Sequence, residues 1–138
     1  MNNQDRTTQD IELMVTAFSA LNTGEIDRCQ DMLSPDFVIN LFGLPSPLQG
    51  RDVWRQNVDQ MYRAFPDLRA DIDDIFGSDG RVAVRLTFRG THQDDFQGVP
   101  ATGRRVTYQS LELYRIADGR IAEEWIASDI ASLMAQVA

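Results

Sequence analysis

The sequence has one cysteine, one histidine and no long apolar run, and each shortage removes a class of protein. Cys29 has no partner for an internal disulfide, and its place on the apolar stripe of a predicted helix reads as a small core residue. With His92 as the single imidazole, no Cys pair and no H-E-x-x-H motif, neither a structural nor a catalytic zinc is expected. No stretch approaches the roughly 18 to 20 apolar residues that span a bilayer, and the polar start MNNQDRTTQD lacks the apolar centre of a secretory signal. A cytoplasmic protein is expected. Basic residues are also few: 13 against 21 acidic ones give a formal net charge of -8, which repels phosphate backbones and anionic head groups, so neither nucleic acid nor membrane is an expected partner. Arg104-Arg105, the only adjacent basic pair, reads as a solvated strand end.

Several active-site signatures are missing too. There is no G-x-S-x-G elbow, and Cys29 has no base near it in the pattern, so covalent catalysis has no visible machinery. Gly98 to Gly103 has the gap of a phosphate loop, but Arg104-Arg105 and a strand follow where Lys-Ser/Thr and a helix are required. The carboxylates Asp71, Asp73 and Asp74 alternate unevenly and, with Asp79 by a turn, read as a solvated face and not a cation site. No cofactor is implied by any of these patterns.

What is present fits one domain over residues 1–138, 43% hydrophobic and long enough for a core and an internal cavity. Thr7 or Thr8 can cap a helix whose Ile11, Met14, Val15, Phe18 and Leu21 form one stripe, with Gly24 ending it. A shorter helix from about Glu25 to Leu33 stops at Pro35. Asp36 to Phe42 reads as a strand, with Asn40 a polar group among apolar neighbours, and Gly43 to Gly50 as a loop. Trp54, Val58, Met61, Tyr62 and Phe65 then mark the buried side of a helix ended by Pro66. That stripe is either plain core packing or the wall of a cavity for a flat apolar ligand, with Trp54, Met61 and Phe65 lining it. Leu68 to Phe76 and Arg81 to His92 form a hairpin across Gly77-Ser78-Asp79-Gly80.

After the loop THQDDFQGVPATG comes the stretch that carries most of the candidate chemistry. Arg105 to Ile116 and Ile121 to Ala127 are two strands joined at Ala117-Asp118-Gly119-Arg120, and Ser128 or Asp129 caps a final helix. Runs of antiparallel hairpins with helices between them give an α+β fold, not a wound parallel sheet. Alternation puts Tyr108, Ser110, Glu112 and Tyr114 on one face. A carboxylate among hydroxyls there is an acid or base candidate if the face is buried, and a solvated residue if it is not. Glu123 and Glu124 sit on opposite faces of the last strand, so only one can look inward.

The first helix ending ALNTGEID, then SPDFV, GTHQDDFQGVPATGRRVTY and LYRIADGRIAEEW followed by Asp129, resembles the SnoaL-like polyketide cyclase family from about Ile11 to Gln136. The resemblance implies a nuclear-transport-factor-like cone, in which a curved mixed or antiparallel sheet is closed by helices around a pocket. It also implies cofactor-independent acid and base chemistry, with an enolate and an aldol ring closure on a polyketide-like or aromatic ketone. Aligned on the Y-R-I-x-D-G hairpin, the cyclases' catalytic aspartate falls at Ile126 and a histidine of theirs at Glu112. Glu112 is then the expected acid or base, with His92 and Asp129 as proton partner or orienting groups. Asn40, Tyr108 and Ser110 are expected to bond the substrate, and Trp54, Phe65 and Ile126 to contact its rings. By parity Trp125 faces away from Ile126 and reads as packing or a subunit contact. Other functions within the resemblance are isomerisation of a polyketide-like substrate, a hydroxylase working with a partner reductase, and a non-catalytic carrier of a hydrophobic ligand. A homodimer is expected from the family and from the outer face bearing Leu111, Leu113 and Trp125.

Overall fold

The computed structural model describes residues 2–138. Helix α1 (Asn3–Asn22) starts a turn before the expected threonine caps, because the Asn2 side chain accepts from the Asp5 amide at 2.8 Å. Thr8 donates its hydroxyl back to the Gln4 carbonyl. Met14, Ala17 and Phe18 are buried, but Val15 is 43% exposed, since it lies about 100° round the helix from Met14. Helix α2 (Ile26–Asp31) is shorter than expected, because strand β1 (Leu33–Leu41) begins at Leu33, already paired with Ile121. Pro35 therefore lies inside the strand, and not after a helix. It falls in the gap between the rungs at Leu33 and Val38, where a missing N–H costs no ladder bond.

The expected loop at 43–50 contains the two-residue strand β2 (Leu48–Gln49), paired with Val38 and Ile39. Helix α3 (Arg51–Ala64) follows, then β3 (Arg69–Ser78) and β4 (Arg81–Thr91). Their turn is tighter than the four residues expected, because Gly77 and Ser78 stay in register with Val82 and Arg81 and leave only Asp79-Gly80 to reverse the chain. Strands β5 (Arg105–Ala117) and β6 (Arg120–Ser128) are joined the same way by Asp118 and Gly119, at φ 52° and 73°. Both turn residues in the left-handed region is the hairpin geometry that matches strand twist. Helix α4 (Ile130–Val137) is capped by Asp129, which accepts from the Ser132 amide at 3.0 Å.

The six strands form one sheet in the order β2-β1-β6-β5-β4-β3, with β1 parallel to β6 and every other pair antiparallel. The fold is thus α+β with a mixed sheet. Irregular register between Ile72 and Asp74, on the edge strand β3, and between Arg115 and Ile116, where the two central strands pair, bends the sheet. Helix α1 packs on β3 and β4, α3 on β1 and β2, and α4 on β5. Apolar side chains gather in two clusters. One, around Met14, Phe18, Phe37, Ile39 and Val84, holds α1 to the sheet; the other, around Phe65, Phe96, Val106 and Leu133, lies under α4. Asp71 and Asp73 face outward, in ion pairs with Arg69, Arg89 and Arg85. Arg104 is more than a solvated strand end, since it donates to the Gln136 and Ala138 carbonyls and ties down the last helix. None of the described helices is long and apolar enough to cross a membrane.

Candidate functional site

Between the concave face of the sheet and helices α1 and α3 lies a cavity of about 850 Å³. It is roomy enough for a drug-sized ligand of several fused rings. Its walls are Phe18 and Leu21 from α1, Trp54, Val58, Met61 and Tyr62 from α3, and Ile39, Ala70 and Phe88 from the strands. Val58, Met61 and Tyr62 on the expected stripe of α3 are half-buried, because they face this hollow instead of a filled core, whereas Trp54 is buried. Phe88 and Tyr108 stack at 5.1 Å, giving one wall a flat aromatic surface.

The buried polar groups of the cavity come from one hairpin. The alternation of β5 turns Tyr108, Ser110, Glu112 and Tyr114 inward, all of them buried. In β6 the same parity turns Glu124, Ile126 and Ser128 inward, with Tyr114 opposite Glu124, Glu112 opposite Ile126 and Ser110 opposite Ser128. Glu112 is 7% exposed and accepts from the hydroxyls of both strand neighbours: Tyr114 donates to Oε1, and Ser110 to Oε2 at 2.7 Å. Ser110 in turn shares a hydrogen bond with the Ser128 hydroxyl at 2.8 Å. Burial raises the pKa of Glu112, against the opposing pull of the Tyr114 and Ser110 hydroxyls.

Glu124 is 4% exposed, and no group among the described residues hydrogen-bonds its carboxyl. Burial first, and then the charge of Glu112, push its pKa well above the usual carboxylate value. Burial likewise pushes the Cys29 thiol up to about 12, with Glu124 adding to it, so that thiol is no nucleophile. Tyr108 and Tyr114 also have raised pKa values, each through burial first and then Glu112, and stay as hydroxyl donors. Arg63, exposed at the end of α3, is the only basic residue on the cavity wall among the described residues. No group of three or more metal-ligating side chains is gathered among the described residues.

Glu112, Tyr108, Trp54 and Ile126 therefore meet at one cavity, with Ser110 directly behind Glu112. Four other candidates lie elsewhere. His92 is fully buried behind the cavity wall, its ring 5.4 Å from that of Phe65. Its Nδ1 faces the Thr102 hydroxyl at 3.0 Å and accepts from the Thr102 amide at 3.3 Å, so it pins the 92–104 loop. Asp129 is the exposed cap of α4. Asn40 points to the outer face, where its amide donates to Glu123 Oε2 at 3.0 Å and to the Glu124 carbonyl at 2.9 Å. Phe65 is fully buried in the second apolar cluster, because the chain turns away from the cavity at the end of α3. Glu124 is the buried cavity carboxyl that the pattern alone did not single out. It stands two residues before Ile126 and so shares its face, which was the available signal.

The arrangement offers a buried base, hydroxyl donors and an apolar bed for a ring system. Comparison with known proteins points the same way. The family model for SnoaL-like polyketide cyclases matches residues 12–137. Aklanonic acid methyl ester cyclase DnrD of Streptomyces peucetius is 29% identical over 117 residues, covering 82% of this chain and 79% of its own. The crystal structure of IdmH of Streptomyces antibioticus, a candidate polyketide cyclase, is 33% identical with a TM-score of 0.84, over 94% of this chain and 98% of its own. AclR of Streptomyces galilaeus, a candidate hydroxylase, is 27% identical with a TM-score of 0.86, over 95% and 96% of the two chains.

Proposed function

The chain belongs to the SnoaL-like polyketide cyclase family, and from that membership we propose that it closes a ring in an aromatic polyketide ketone by cofactor-independent acid and base chemistry. The observation that carries this reading is Glu112, a buried carboxyl held between two hydroxyls at the wall of an apolar cavity. Burial without a cation nearby makes it a stronger base than a solvated carboxylate, and the Tyr114 and Ser110 bonds keep enough of it ionised to accept a proton. Each carboxylate oxygen keeps a lone pair beyond its one bond.

In the reaction, Glu112 takes a proton from the carbon beside a substrate carbonyl, and the electron pair moves onto the carbonyl oxygen. The enolate carbon attacks a second carbonyl of the same molecule, and Glu112 returns its proton to the new alkoxide. Mass is unchanged. All 13 basic residues of the chain are arginine, so no lysine Schiff base is open to this aldol step, which runs through the enolate. Trp54 and the Phe88–Tyr108 stack would bed the rings. An anthraquinone-type methyl ester is the substrate suggested by DnrD.

The test is incubation of the purified protein with such an ester, followed by mass spectrometry and chromatography. A ring-closed product of unchanged mass is expected. Glu112→Gln should lose about 100- to 10,000-fold in turnover while still binding the ester; full turnover in that variant ends the assignment. A gain of one oxygen on addition of a reductase, the activity named for AclR, would replace it with hydroxylation, and binding without product would replace it with a carrier. The same reading takes the protein as a cytoplasmic homodimer. The dimer is supported by the outer sheet face, where Leu111 is 61% exposed beside half-buried Leu113 and Trp125, and the compartment by the unpaired Cys29.

A further inference from the structure

The proton transfer assigned to Glu112 leaves the second buried carboxyl of the cavity, Glu124, without a task. Tyr114 lies opposite Glu124 and Glu112 opposite Ile126, so the two carboxyls are diagonal neighbours on one face. Such neighbours have Cα atoms about 7–8 Å apart, with side chains converging on the same volume. Their surroundings differ. Glu112 receives two hydroxyl donors, which favour its anion, whereas Glu124 receives none from the described residues and faces the cavity with its carboxyl free.

We propose that Glu124 is a second catalytic residue, a neutral acid that donates a hydrogen bond to the substrate carbonyl oxygen while Glu112 removes the neighbouring proton. This rests on the acid and base reading above. Two carboxyls so close in an apolar site do not both ionise, and the shared proton stays on the one with fewer donors. The groups bearing on Glu124 are all acids: Glu112 and Tyr114 from β5 and Cys29 from α2, while β1 and α1 turn apolar Ile39 and Phe18 to the same cavity. During enolisation the C–H proton goes to Glu112, the carbonyl pair localises on oxygen, and the Glu124 proton remains on Glu124 while its hydrogen bond to that oxygen shortens. A donor aimed at the oxygen where charge develops stabilises the enolate more than the ketone. The Ile126 side chain, opposite Glu112, adds no competing charge.

Two measurements test this without turnover, so a failure of the cyclase assignment is read separately. The first is the infrared spectrum of the ligand-free protein near neutral pH. A carboxylic-acid carbonyl band is expected in the wild type and absent in Glu124→Gln. No such band in the wild type, or a band kept in Glu124→Gln and lost in Glu112→Gln, overturns the proposal. The second uses 2-naphthol, whose hydroxyl oxygen stands in for the enolate oxygen, with binding followed by fluorescence. Glu124→Gln retains a donor of nearly the same shape and should bind within about threefold of the wild type, whereas Glu124→Leu should bind about tenfold more weakly or worse. Equal affinity for the Gln and Leu variants, both shown to be folded by thermal melting, overturns it.

Discussion

At the residue scale, Glu112 and Glu124 each hold a proton to higher pH than they would in the unfolded chain. Both have folded pKa values above their solvated ones through burial, Glu124 the more strongly because Glu112 adds its charge. Folding therefore binds protons, and the stability penalty is absent well below the solvated carboxyl pKa and grows as pH rises from there toward the folded values. Replacing Glu124 by Gln removes its share. The variant and wild type should melt together near about pH 4, and the variant should melt higher near about pH 8, by about 1–2 kcal/mol. Calorimetry across that range checks it; a gap that closes with rising pH contradicts the assigned shift. Glu112 was legible from sequence because strand alternation set it among hydroxyls, but nothing in the alternation said whether that face was wet or dry. Glu124 was visible only as one of two adjacent glutamates, and the partner it lacks is a fact about neighbours on other strands.

At the scale of elements, the 92–104 loop is held as a unit by its first residue. His92 exchanges backbone hydrogen bonds with Arg104 and Gly103 while its ring packs on Phe65 and accepts from Thr102. Phe96 and Gln97, carried by that loop, reach the cavity wall, so His92 affects the site through the loop and not through contact with substrate. His92→Phe keeps the aromatic packing and removes one acceptor, and should cost about 1–2 kcal/mol with turnover kept within a few-fold. A folded variant without turnover would restore His92 to the chemistry. The hairpins were readable because Asp118-Gly119 and Asp79-Gly80 supply the positive φ that tight turns need. Pro35 misled, because proline stops a helix but is also tolerated in a strand wherever the ladder has a gap.

At the scale of the whole molecule, the acidic balance reaches into the site. Three carboxyls, the buried Glu112 and Glu124 and the exposed Asp95, and one basic residue, Arg63, line the cavity among the described residues of a chain with net charge -8. A substrate carboxylate would meet both burial and like charge there, whereas its methyl ester would not. The ester should bind at least about tenfold more tightly than the free acid, as read by tryptophan fluorescence titration; equal binding would mean that the acid end stays at the mouth beside Arg63. The outer face of the sheet makes a separate prediction. If Leu111, Leu113 and Trp125 meet a second copy, Leu111→Asp should shift the sedimentation coefficient from dimer to monomer without lowering the helical signal. An unchanged dimer would put the interface elsewhere.

The sequence by itself determined the helices and every strand but the two-residue β2, the hairpin turns and the faces of the longer strands, because these follow from spacing and turn chemistry within a few residues. Through motifs spread along the chain it also carried the resemblance to the cyclase family. Only the tertiary structure decided which faces close on the cavity. The parallel pairing of β1 with β6, residues far apart in the chain, sends Asn40 outward to Glu123 and Ile39 inward. The curvature of the sheet brings Glu112 and Glu124, both buried, to one cavity while Phe65 and His92 pack behind it. Burial and charge coupling are properties of that assembled volume, and local periodicity contains no measure of either.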